Sequence, residues 1–188
     1  MKTVTLSKSF DFGRQVGAVL VLLCCLAAPA AQADISRFLG DYTGFAEVVN
    51  ADGSTSPRDM SVSIAETKKG FSVQWTTTTH KSGGRTKEST YKIEFVPSDR
   101  DGVYAAAMKK NVFGHQVQLD PMKGEPYVWA RITGDTLTVF SLFVDADGGY
   151  ELQQFDRTLT TGGLNLEFSR IGNGKQTRSS KAYLDKAE

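Results

Sequence analysis

Cysteine is confined to one place. Cys24 and Cys25 are the only two in the chain, and they sit side by side in its first 33 residues. If that segment is removed, no thiol, disulfide, cysteine metal site or cysteine nucleophile remains. Histidine is nearly as scarce. His80 and His115 lie in different segments without His-x-His or His-Glu-x-x-His spacing, so a zinc site would need ligands that no local motif supplies. An excess of charge is missing too. The chain has 22 Lys and Arg against 21 Asp and Glu, and no basic field is left to attract nucleic acid or anionic lipid. The one long apolar run, Val16 to Leu26, is about half of the roughly 20 residues that cross a bilayer as a helix. Catalytic signatures are also absent. There is no Gly-x-Ser-x-Gly elbow, no phosphate-cradling Gly-x-x-x-x-Gly-Lys-Ser/Thr, and no Gly-x-Gly-x-x-Gly between a strand and a helix.

What is present begins with an export signal over residues 1–33. Lys2, Lys8 and Arg14 form a basic start, the apolar run follows, and Ala31-Gln32-Ala33 supplies a small-x-small cleavage site. Cleavage leaves Asp34 first, and the expected location is the periplasm or the outside of the cell. A retained anchor would need a longer apolar run. A lipoprotein signal would need a small residue before its cysteine, where Leu23 precedes Cys24 and Cys24 precedes Cys25. The leader removes three basic residues and one acidic one, which leaves residues 34–188 one negative charge from neutral. That length suits one domain with a sizeable core.

From Tyr42 onward the pattern is β. Met60, Val62 and Ile64, then Phe71, Val73 and Trp75, alternate with polar residues, as in strands with one buried and one wet face. Turn residues punctuate the chain at Asn50–Gly53, Lys68–Gly70, Ser82–Gly84, Asp99–Gly102, Gly134-Asp135, Asp147–Gly149, Thr161–Gly163 and Gly172–Gly174. The expected fold is all-β, an antiparallel up-and-down meander barrel of roughly eight to ten strands, in preference to a sandwich because the hairpins are tight and sequential. The outward positions Ser61, Ser63, Gln74, Thr76, Thr78, Lys92 and Glu94 are polar where a membrane barrel needs an apolar band. A barrel without an integral membrane segment, and a monomer, are expected. Residues Asn111 to Glu125 break the rhythm with Gly114, Pro121 and Gly124, as either a lid over a barrel mouth or one more strand on a longer connection.

The segment Phe38-Leu39-Gly40-Asp41-Tyr42 resembles the opening of lipocalins and their calycin relatives, with Tyr42 standing where those families have tryptophan. Leu164, Leu166, Phe168 and Arg170 share one face of a late strand. The resemblance implies that Arg170 covers Tyr42 and closes the barrel. It also implies binding of a small apolar or amphipathic molecule inside, not a reaction.

The candidate ligand-binding set is Trp75, Tyr91, Phe95, Tyr104, Trp129, Phe143 and Arg157, spread over successive strands as expected if they converge in one barrel. In the segment from Tyr150 to Leu159 neither face is cleanly apolar. Gln153, Phe155, Arg157 and Leu159 share one, and an inward Arg157 fits a wet pocket for a carboxylate better than a packed core. Other readings are weaker. Asp145-Ala146-Asp147-Gly148-Gly149 is similar to the start of a calcium loop but has Tyr150 where that loop needs glycine. His115 could be a single haem ligand, or could join Asp156 in a scattered catalytic site. No metal, cofactor, nucleic-acid partner or enzymatic activity is implied. The alternative function is an envelope interaction or inhibitor protein with a solidly packed barrel.

Overall fold

The computed structural model of the protein describes residues 34–107, 109–110 and 116–188. The signal-peptide reading, Cys24, Cys25, His115 and residues 111–115 of the irregular segment lie outside the described residues. Residues from 34 onward belong to one compact unit. A short 3₁₀ turn, Ile35–Phe38, leads into β1 (Gly40–Asn50), β2 (Thr55–Thr67), β3 (Gly70–His80), β4 (Thr86–Pro97) and β5 (Val103–Ala106). Two very short strands follow, β6 (Lys109–Lys110) and β7 (Gln116–Val117). After them come β8 (Tyr127–Thr133), β9 (Thr136–Val144), β10 (Tyr150–Thr160), β11 (Gly163–Gly172) and β12 (Lys175–Lys186).

Ten of these strands close into an antiparallel barrel. Each pairs with its neighbour in sequence, β5 passes directly to β8, and β1 closes on β12, while β6 and β7 pair separately. All eight turn clusters read from the sequence fall between strands. In the β11–β12 hairpin Asn173 and Gly174 have φ of +47° and +78°, the double positive φ that matches the twist of two joined strands. Closure brings β1 and β12 into tight contact at Gly44, where any Cβ would collide with the Tyr183 carbonyl.

Alternation decides what lies inside. Ile64, Val62 and Met60 on β2 face Val73, Trp75 and Thr77 on β3 in strict register, and on β4 Ile93 and Tyr91 continue the first two rows while Phe95 faces Phe71. One end of the barrel is filled. Phe38, Phe71, Phe95, Leu137, Leu164 and Leu184 are fully buried there. Phe71 stacks on Phe95 with ring centres 5.2 Å apart and meets Tyr104 edge-on at 4.9 Å. Asp34 caps the 3₁₀ turn by accepting the Ser36 N–H at 2.8 Å, and the Tyr42 hydroxyl donates to the Phe38 carbonyl at 2.9 Å. The turn is thereby held against the filled end.

The expected cap of Arg170 over Tyr42 is not formed. The cation above the Tyr42 ring is Lys186, its Nζ 5.8 Å from the ring centre, because Lys186 is the cross-strand partner of Tyr42 in the closing seam. Arg170 pairs instead with Gln153 and Arg178, toward the opposite end.

Candidate functional site

Away from the filled end the barrel interior opens into a cavity of about 410 Å³, within the range of small-molecule pockets. Its walls form tiers because antiparallel registers align alternate residues across strands. Arg157 and Leu166, opposed across β10 and β11, and Ile93 on β4 stand nearest the filled end, while Val62 and Val139 are directly opposite Trp75 and Phe155. An aromatic tier of Trp75, Tyr91, Phe155 and Phe168 follows, and Arg58, Gln153, Arg170 and Arg178 stand nearest the mouth. Trp75 stacks on Tyr91 at 5.5 Å and Phe155 packs with a tilt against Phe168 at 4.7 Å, both cross-strand pairs. Trp75 on β3 also meets Phe155 on β10 at 5.5 Å. Those two strands are not neighbours, so this contact crosses the lumen.

Arg157 stands below that crossing. It is 1% exposed, and its guanidinium carbon lies 5.8 Å from the Trp75 ring centre and 5.7 Å from that of Phe155. Its Nε and Nη1 have no hydrogen-bond partner among the described residues. Burial pushes its pKa down to about 10, partly opposed by the carboxylate of Asp156. Asp156 itself faces away on the alternate side of β10, accepting from the Thr138 hydroxyl at 2.6 Å and the Gln154 amide at 2.7 Å. Arg157 is therefore a buried, charged donor set aimed at the lumen, of the kind that recognises an acidic oxygen.

Of the sequence candidates, Trp75, Tyr91 and Arg157 line the cavity, and the others do not. Phe95 and Tyr104 pack on Phe71 in the filled end. Trp129 is on the outer face, stacked on Phe140 at 4.8 Å, because Val128, Ala130 and Ile132 take the inward positions of β8. Phe143 has the inward parity of Val139 and Ser141 but sits beyond the lining and is 40% exposed. Arg170 belongs to the lining, not to a closure with Tyr42. Arg58, Arg178, Phe155 and Phe168 complete the site. Their signal was continuation of an alternating row, since Arg58 extends Ile64, Val62 and Met60, and Arg170 extends Leu164, Leu166 and Phe168.

The remaining candidates have local roles. His80 Nε2 lies 2.7 Å from Asp59 Oδ2 on the surface. Asp145 Oδ1 accepts the backbone N–H groups of Asp147 and Gly149 at 3.0 and 2.7 Å, an Asx-stabilised hairpin turn. No group of acidic, histidine or cysteine residues suited to a metal ion occurs among the described residues. No helix among them is long and apolar enough to cross a membrane. In the described part of the irregular segment, Gln118 Nε2 donates to the Val128 carbonyl at 3.0 Å and Asp120 caps a 3₁₀ turn over Pro121–Lys123. From this connection Pro126, just past Glu125, reaches the cavity wall.

No family model and no curated protein matches the sequence. The fold is similar to that of a protein of unknown function from Nostoc punctiforme in the DUF3598 family, with a TM-score of 0.50 and 14% identity over 82% of this chain. This chain covers 49% of that protein. An S-type phycobiliprotein lyase from Guillardia theta gives a TM-score of 0.36 and 6% identity, over 82% of this chain and 90% of the lyase. At these identities the likeness of the Nostoc protein concerns the fold alone, and the lyase carries no argument about this site.

Proposed function

We propose that this protein is an exported, calycin-like barrel that binds a small amphipathic molecule, with the acidic end of the ligand on Arg157 and its apolar body against Trp75, Tyr91, Phe155 and Phe168. The observation that carries the reading is Arg157 itself. A buried guanidinium whose Nε and Nη1 have no hydrogen-bond partner among the described residues is costly in a packed core, and that cost has a use if an acidic group is brought to it. The apolar tier supplies affinity by burial and the charge supplies orientation. A solidly packed interaction protein would not need a cavity of this size. Export to the periplasm or medium belongs to the same proposal, on the order of basic, apolar and cleavage-site residues in the leader.

The test is a titration with dodecanoate and dodecanol, followed by tryptophan emission. Dodecanoate should bind in the micromolar range and dodecanol more weakly, and Arg157→Gln should remove the difference. If neither binds at high micromolar concentration while the barrel stays folded, the interior is not a ligand site.

A further inference from the structure

Near the mouth of the cavity the inward rows end on charge. Arg170 on β11 and Arg178 on β12 are directly opposed cross-strand partners. Such partners hold their Cβ atoms about 5 Å apart, a placement that disfavours like charges. Arg58 on β2 joins them across the β1 wall. Its pKa is pushed down first by burial and then by the positive charge of Arg178, so these guanidiniums sense one another.

The groups that could offset this charge are few. Glu151 Oε1 lies 3.3 Å from Arg170 Nε but also accepts the Gln153 amide at 2.7 Å. Asn50 Oδ1 accepts from Arg178 Nε at 3.2 Å. The Nε atoms of Arg58 and Arg170 are buried without a hydrogen-bond partner among the described residues. Among the described residues one carboxylate thus faces three guanidiniums.

We infer that Arg58, Arg170 and Arg178 form a second acid-binding subsite at the mouth, and that the ligand of this barrel is a diacid: one acidic group on Arg157, an apolar body through the aromatic tier, and another acidic group on the mouth arginines. This rests on the ligand-binding reading above and specifies its substrate class. The spacing is set by the strand. Gln153, the register partner of Arg170, is four residues from Arg157 on β10, about 13 Å at strand rise. An extended aliphatic diacid of a dozen carbons spans a comparable distance, whereas a monoacid held by Arg157 leaves the mouth guanidiniums unmatched.

The experiment compares dodecanedioate with dodecanoate, by calorimetry, on the wild-type protein and on the Arg58→Gln, Arg170→Gln and Arg178→Gln variants. The diacid should bind at least about tenfold tighter than the monoacid, the gain of one good charge-assisted contact. The mouth variants should shrink that ratio toward one, with circular dichroism and a cooperative thermal transition showing that each variant is folded. Equal binding of the two acids to the wild type overturns the second subsite and leaves the amphipathic-ligand reading standing. A diacid advantage that survives in all three variants overturns it as well, because the second acid then sits elsewhere. If neither acid binds, the ligand-binding reading itself falls, and the diacid with it.

Discussion

The guanidinium of Arg157 rests 5.8 Å from the centre of the Trp75 ring, inside the barrel. The ring face attracts the cation by an amount on the order of 1 to 2 kcal/mol when desolvated. That is less than the cost of withdrawing a guanidinium from water with Nε and Nη1 unsatisfied. The pair is therefore arranged for recognition at some expense of stability, and four outcomes are expected.

Arg157→Leu should stabilise the ligand-free barrel while removing its preference for acids. Replacing a buried, poorly partnered charge by an apolar side chain is worth about 1 to 3 kcal/mol, or several degrees in Tm for a domain of this size. Calorimetry of the two proteins decides it. A lower Tm for the variant would mean that the arginine is part of the packing.

Acid binding should fail at high pH for a definable reason. Burial favours the neutral guanidinium, so Arg157 is charged below about 10 and loses its charge as the pH rises through that value. Affinity for dodecanoate should therefore hold from about pH 7 to 9 and fall above about pH 10, while Arg157→Gln shows no such fall. In the free protein the burial penalty is present below the folded pKa and is relieved as the pH rises above about 10, where Arg157 is neutral in the folded state and still charged in the unfolded one. Arg157 then contributes a rise in stability over that interval. A profile identical in wild type and variant would assign the effect to another group.

Tyr42→Phe should cost about 1 kcal/mol, because it leaves the buried Phe38 carbonyl without the hydroxyl that donates to it. Combining it with Arg170→Ala should give additive losses within about 0.5 kcal/mol, as for residues with no shared contact. Chemical denaturation of the two single variants and the double variant measures both. A larger coupling would place Arg170 near Tyr42 after all.

The two tryptophans should report differently. Trp75 lines the cavity and Trp129 stacks on Phe140 outside it. Trp75→Phe should abolish the ligand-dependent emission change and Trp129→Phe should preserve it. The reverse result would put the ligand on the outer face.

How far the chain could be read follows from these residues. Period-two rows such as Met60, Val62, Ile64 and Phe71, Val73, Trp75, with glycine- and asparagine-rich turns between them, determine strands and hairpins locally. Sequential hairpins leave few ways to close a sheet, so the meander barrel is legible in the sequence itself. Arg157 was legible as well, because it breaks the apolar pattern on the face it shares with Phe155 and Leu159.

Tertiary structure decided what alternation cannot express. Parity along a strand says which residues point inward but not how far along the barrel they stand, so Phe95 and Trp75 read alike although one fills the closed end and the other lines the cavity. Hydrophobicity favours an inward Trp129, yet Val128, Ala130 and Ile132 hold the inward row and Trp129 finds Phe140 outside. Of the mouth arginines, Arg58 on β2 stands more than a hundred residues before Arg170 on β11 and Arg178 on β12. Only closure of β1 on β12 brings Arg58 to Arg170 and Arg178. The composition and alternation of the chain by themselves determined a β-barrel with an arginine inside. The register of the closing seam decided which end is filled, which is open, and which charges meet at its mouth, because those depend on pairings between distant segments that no local pattern encodes.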